Sequence, residues 1–146
     1  MQQTRAVLVV GEAKNKVWDA VKEAKMRNET EKIDRVFKSG YGTVLFFSDL
    51  SIVFNWSNQM PTYAEAFKVF DAQASGMLHY NVWTALELEG HGPICSTSAK
   101  VLRVSKTLGL PDSWHNTALL NFGLPAGSPR DKEYAPIDER VMFFDA

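Results

Sequence analysis

The sequence predicts an α+β domain, and three observations predict it. Ala6-Val7-Leu8-Val9-Val10 is a continuous apolar, β-branched run, which reads as a buried strand. Thr43-Val44-Leu45-Phe46-Phe47 is a second run of the same kind. Between and after them lie stretches of helical spacing, the longest running from about Ala66 to Glu89 and apolar on nearly every side. Strands mixed with helices in this way form one layered domain, and 146 residues suit one.

The elements follow in order. Gly11 turns the chain out of the first strand. A helix follows from about Ala13 to Met26, with Val17, Trp18, Ala20, Val21 and Ala24 on its inward stripe. Asn28 is a suitable cap for a second helix, Glu29 to Lys38, that carries Ile33, Val36 and Phe37. Gly40-Tyr41-Gly42 breaks it and leads into the Thr43–Phe47 strand. Ser48 or Asp49 caps a helix from Leu50 to Gln59, which Pro61 ends. The long helix comes next. It is apolar on nearly every side, so it is expected to be buried, in a core or between subunits. Its small residues Ala72, Ala74, Ser75 and Gly76 allow close approach of another backbone, either in the core or across a dimer interface. Gly90-His91-Gly92 stops it. Val101 to Leu108 reads as an amphipathic helix that ends at Gly109 and Pro111, and Ser96, Thr97 and Ser98 as the turn or cap before it. Thr117 to Gly123 reads as a strand, and Ala126-Gly127-Ser128-Pro129 as loop. The tail from Ile137 to Phe144 carries Val141, Phe143 and Phe144, which must dock on this subunit or on a partner.

Composition excludes several classes. A net charge of −1 without a basic run gives no footprint for nucleic acid. No apolar stretch is long enough to span a bilayer, and the opening residues lack the apolar core of a signal peptide. One cysteine, Cys95, forms no internal disulfide and suits a reducing compartment, so a cytoplasmic or nuclear location is expected. His79, His91 and His115 show no metal-ligand spacing. There is no nucleophile elbow and no glycine-rich phosphate loop. Cys95 lies four residues from His91, but a structural or incidental thiol explains it better than a reactive one.

Several segments, taken together and in order, resemble one family. They are Lys38-Ser39-Gly40-Tyr41-Gly42-Thr43-Val44-Leu45-Phe46-Phe47, then Ser75-Gly76-Met77 with Tyr80 and Val82-Trp83-Thr84-Ala85-Leu86, then Glu89-Gly90. Pro111-Asp112-Ser113-Trp114, Phe122-Gly123-Leu124-Pro125, Lys132-Glu133 and Pro136-Ile137-Asp138-Glu139-Arg140 continue the series. The chain resembles the flavin-dependent nitroreductases, in their bacterial and fungal oxidoreductase-like branch. The resemblance implies a mixed sheet packed by helices around a long central helix, and it covers residues 1–146 as one domain. It also implies a leading arginine-rich segment that holds the flavin phosphate, which this sequence lacks; the domain is then N-terminally truncated and partial, the larger departure and the one that favours a remnant without flavin.

The resemblance implies flavin mononucleotide (FMN) as cofactor, NAD(P)H as reductant and a nitroaromatic or quinone-like acceptor, with an oxidative-stress role and a homodimer. It implies cofactor contacts from Gln2, from the backbone at Gly92, Ile94 and Cys95, and from Arg130 and Lys132 for the phosphate. Arg140 can instead pair with Asp138 or Glu139 or lock the tail. Trp56, Tyr63, Phe67 and Phe70 shape the acceptor pocket in this reading, and pack between two helices in the plainer one. Two departures weaken the cradle. Pro93 lacks an amide donor, and Cys95-Ser96-Thr97-Ser98 replaces the branch's leucine, glutamine, histidine and tyrosine-like run. A remnant that dimerises or regulates without flavin therefore stands as the alternative. No general acid or base is named by the sequence.

Overall fold

The computed structural model describes residues 1–23, 30–96 and 102–144. Four strands form one sheet: β1 (Thr4–Val10), β2 (Gly42–Asp49), β3 (Ile94–Ser96) and β4 (Trp114–Phe122). Their order is β1-β2-β4-β3. The described pairings are all antiparallel, where the resemblance implied a mixed sheet. The helices are α1 (Gly11–Glu23), α2 (Thr30–Lys32), α3 (Leu50–Gln59), α4 (Ala64–Leu88) and α5 (Leu102–Thr107). α2 runs on into a π-helical turn, Ile33–Phe37.

One face of the sheet is covered by α1, α5 and the π turn. Val17, Trp18 and Val21, one stripe of α1, are buried there with Ile33, Phe37, Leu45, Phe47, Val104 and Leu119. Trp18 stacks on Phe37 at 4.5 Å, and its Nε1 donates to Thr43 Oγ1, which donates in turn to Asn121 Oδ1. This polar chain ties α1 to two strands and leaves the indole N–H satisfied in the core. Lys14 is also buried. Its ammonium donates to the carbonyls of Lys38 and Gly40, which the π turn's end leaves free. Burial pushes the Lys14 ammonium below its ordinary pKa.

The turn before β2 requires glycine because of close approach. A Cβ on Gly40 would stand 2.3 Å from Asn121 Nδ2, and one on Gly42 would stand 2.6 Å from the Phe122 ring. Asp49 caps α3 as expected, accepting from Ser51 N at 3.2 Å. Its carboxyl is held below the usual range first by the Ser51 hydroxyl, then by Ser113 and Arg5.

α4 lies across the other face. Leu78, Val82, Trp83 and Leu86 pack on Val44, Phe46, Ala118, Leu120 and Phe122. Polar pairs accompany them: Ser48 donates to Asp71 at 2.6 Å, and His79 shares a 3.0 Å hydrogen bond with Thr117. Thr117 is the extra residue of a bulge, since Phe46 faces Ala118 and Phe47 faces Asn116. Bulges re-aim a side chain, and this one turns Thr117 toward α4. The Asn116 amide closes the gap by donating to the Phe46 carbonyl at 2.9 Å.

Two expectations change, for β1 and for Ile94–Ser96, and two open alternatives narrow, for α4 and for the tail. α4 is not buried within the chain: among its residues only Ser75 is, while Met77 is 66% and Tyr80 71% exposed. A single helix crosses this face of the sheet, so its outer half remains open. β1 is likewise not buried on both faces. Val9 points into the core, but Leu8 is 62% exposed on an edge strand that α4 covers only in part. The segment Ile94–Ser96 is a strand, too short and too lacking in alternation for its sequence to reveal. The tail docks nowhere on this subunit, for Leu124 to Phe144 are all exposed. Asn28, Ala24 and the proposed Thr97 and Ser98 turn lie outside the described residues.

Candidate functional site

The end of the sheet where β1 starts, β2 ends and β4 starts gathers the first group of candidates. Thr4 faces Ser48, and Ser48 faces His115. Arg5 organises this end. Its Nη1 donates to the Gln2 carbonyl at 2.7 Å, its Nη2 pairs with Asp49 at 3.4 Å, and its guanidinium lies 5.6 Å from the Trp114 ring centroid. Gln2 is thereby held in place with its side chain exposed. Sequence reading noted Arg5 only as a marker. Its positioning role depends on Asp49 and Trp114, which are remote in the chain.

The aromatic candidates stand beside this end, where α3 turns into α4 through Pro61. Trp56 and Phe67 are 6.1 Å apart, and Phe67 and Phe70 meet edge-to-face at 6.2 Å. Tyr63 is exposed at the start of α4 and makes no described ring contact. Phe67 and Phe70, with Met1, Gln3 and Ala74, line a cavity of about 300 Å³. Gln3 is 2% exposed and its Nε2 has no hydrogen-bond partner. A larger apolar groove, about 620 Å³, lies between α3 and the first turns of α4, with Val53, Phe54 and Ala64 in its walls.

The second group stands at the opposite end of the sheet. Gly92 N donates to the Gly123 carbonyl at 2.8 Å, just past Phe122, and Phe122 faces Gly42, which faces Val10. Six strand steps separate Thr4 from Val10, so Gln2 and Gly92 are about 20 Å apart or more. Gly92 and Ile94 line a cleft of about 670 Å³ with Tyr41, Asn121 and Pro125. Cys95 is an exposed thiol on β3, and partial burial raises its pKa, the opposite of what a reactive thiolate needs. His91 packs on Phe122 at 5.5 Å, with its Nδ1 unpartnered. Arg130 and Lys132 are exposed on the tail. One subunit thus brings Gln2 near the aromatic group, but not near Gly92, Ile94 and Cys95.

Among the described residues no group of histidine, cysteine and carboxylate side chains has metal-site geometry, and no helix is long and apolar enough to cross a membrane.

The whole architecture has known counterparts. The sequence model of the Nitroreductase family matches residues 1–124. HBN1 of Saccharomyces cerevisiae is 33% identical over 142 residues, covering 97% of this chain and 74% of its own length. The nitroreductase FRM2 of the same yeast is 31% identical over 134 residues, or 91% of this chain and 69% of its own. The nitroreductase CinD of Lactococcus lactis, solved with chloramphenicol, superimposes with a TM-score of 0.89 at 33% identity, covering 99% of this chain and 78% of CinD. The chain belongs to the nitroreductase family. Its α+β sheet with the long α4 is that family's fold.

Proposed function

We propose that this chain is an FMN-dependent NAD(P)H oxidoreductase of nitroreductase type, reducing nitroaromatic or quinone-like acceptors in an oxidative-stress response, as a cytoplasmic homodimer. The observation that carries the reading is the match over nearly the whole chain to CinD. CinD has also been solved with nicotinic acid and with 4-nitrophenol, each an aromatic ring with an oxygen-bearing substituent. Proteins of this family generally use flavin. Bound flavin supplies two-electron chemistry, taking hydride from a nicotinamide and passing electrons to the acceptor.

The chain's own residues have separate parts in this reading. Gln2, held by Arg5, lies where an amide can meet the flavin. Phe67 and Phe70, with Trp56 behind and Tyr63 at the rim, form an apolar wall for the acceptor. Arg130 and Lys132 offer cations for the phosphate, and the backbone at Gly92, Ile94 and Cys95 offers further donors. These donors do not converge on one flavin-sized site in a single subunit. A second copy is therefore part of the proposal. It covers the open half of α4 and the flank of β1, and takes up the apolar tail.

The same non-convergence favours a second reading, a family member that dimerises without binding flavin. An FMN titration separates the two, followed by flavin absorbance and fluorescence with sedimentation in parallel. Micromolar binding by a dimer supports the oxidoreductase. A folded dimer that binds no flavin at high micromolar concentration leaves the second reading.

A further inference from the structure

One cation of the α1 face serves no carboxylate. Lys14 is 6% exposed, and its ammonium donates to the Lys38 carbonyl at 2.7 Å and to the Gly40 carbonyl, with no acidic partner among the described residues. Burying a charge without an opposite one is costly, and a neutral side chain would avoid that cost. The bond to Gly40 connects this charge to the cleft beside Gly92, because Gly40 and Tyr41 line it. The Gly40–Tyr41 peptide is trans, so its N–H points away from the carbonyl that Lys14 holds. The Tyr41 amide has no backbone acceptor among the described residues, and a Cβ on Gly123, another lining residue, would stand 3.2 Å from Tyr41 N. Lys14 therefore polarises, from behind, an amide that the cleft can use. The other charge at the cleft has the same sign. Among the described lining residues Arg35 is charged and no carboxylate occurs, and Asp34, next to Arg35 in the chain, is paired with Lys22.

We propose that Lys14 is a positioning residue for the flavin, and that its charge, passed through the Gly40–Tyr41 peptide, makes the cleft prefer reduced FMN to oxidised FMN. At neutral pH the reduced ring is an anion and the oxidised ring is neutral, so a fixed cation and the amide it polarises discriminate between them. The volume of about 670 Å³ suits a ligand of that size, and the cleft is the one whose Gly92 and Ile94 backbone belongs to the flavin contacts above. The plainer role for Lys14, a cap for the carbonyls at the end of the π turn, would affect both forms of FMN alike. The proposal deepens the oxidoreductase reading and rests on it.

The test titrates the full chain with oxidised FMN, and under nitrogen with FMN reduced by dithionite, and compares the two dissociation constants by calorimetry. The wild type is expected to bind reduced FMN about tenfold more tightly than oxidised FMN, which raises the midpoint potential of the bound couple by about 30 mV over that of free FMN. Lys14→Met is expected to bring the ratio close to one, and Lys14→Arg, which keeps the charge, to retain the preference. An unchanged ratio in Lys14→Met overturns the proposal, even where both affinities fall together, because that is the result of a cap alone. A wild type that binds reduced FMN no more tightly than oxidised FMN overturns it as well, and this comparison decides if Lys14→Met does not fold. The two readings fail separately. A wild type that binds neither form removes the oxidoreductase reading and this one with it, whereas a wild type that binds both forms equally removes this one alone.

Discussion

The two faces of the sheet differ in how completely this chain covers them. On the α1 side three elements close over β1, β2 and β4, and Val17, Trp18, Leu45 and Phe47 are at most 1% exposed. On the α4 side one helix lies over the central strands, and Leu8, Val10, Met77 and Tyr80 remain in solvent. The first face holds the subunit together. The second is partly polar beneath the helix and apolar outside it, which is the pattern of a surface completed by something else. The candidate acceptor cavity lies between the N-terminal residues and the first turns of α4, and buried polar atoms without partners occur on this side at Gln3 and Ser75.

The contrast can be broken most strongly at Trp18. Trp18→Ala removes the stack on Phe37 and the bond to Thr43, and is expected to cost about 3–5 kcal/mol in chemical denaturation. A loss below about 1 kcal/mol would mean that the α1 face is not the stabilising one. On the other face, Met77→Glu with Tyr80→Glu should leave the fold intact by circular dichroism. The pair should weaken self-association at least a hundredfold, about 3 kcal/mol, in sedimentation. Unchanged sedimentation would remove α4 from the interface. Thr43→Val cuts the chain from Trp18 to Asn121 and should cost about 1–3 kcal/mol, since it leaves a buried indole N–H unpaired. Asp49→Ala removes the α3 cap and should cost about 1 kcal/mol at neutral pH.

The smallest effect is a pH slope. Burial lowers the pKa of His79 below its ordinary value. The unfolded chain then binds that proton more readily than the folded one. The stability from neutral His79 is present above the unfolded value of about 6.5 and is lost as pH falls through the lower folded value. Asp49 behaves with the same sign at lower pH, because its folded pKa is also depressed. His79→Gln should flatten the slope below about pH 6.5 in urea melts and leave the more acidic transition in place. An unchanged slope would show that His79 is not desolvated by packing on Phe46 and Thr117 of the sheet.

Much of the fold was legible. The Asp49 cap, Pro61 and the glycine stop at Gly90 bounded α3 and α4 to within two residues, because caps and breakers act locally. The stripe on α1 was legible as far as Val17, Trp18 and Val21, but buried Lys14 was not, since its partners are carbonyls some 24 residues away. The aromatic group was legible at Trp56, Phe67 and Phe70 because one turn brings them together. Gln3 was not, because a glutamine at a strand entry gives no sign of burial until α4 lies over it.

The sequence by itself determined the class, most of the elements and the family, since periodicity, capping and ordered motifs are local properties of the chain. Tertiary structure decided where the site candidates stand. Antiparallel register sent Gln2 and Gly92 to opposite ends of the sheet, and the width of one helix left half of α4 open. Both depend on distances between elements, which no local pattern of residues encodes.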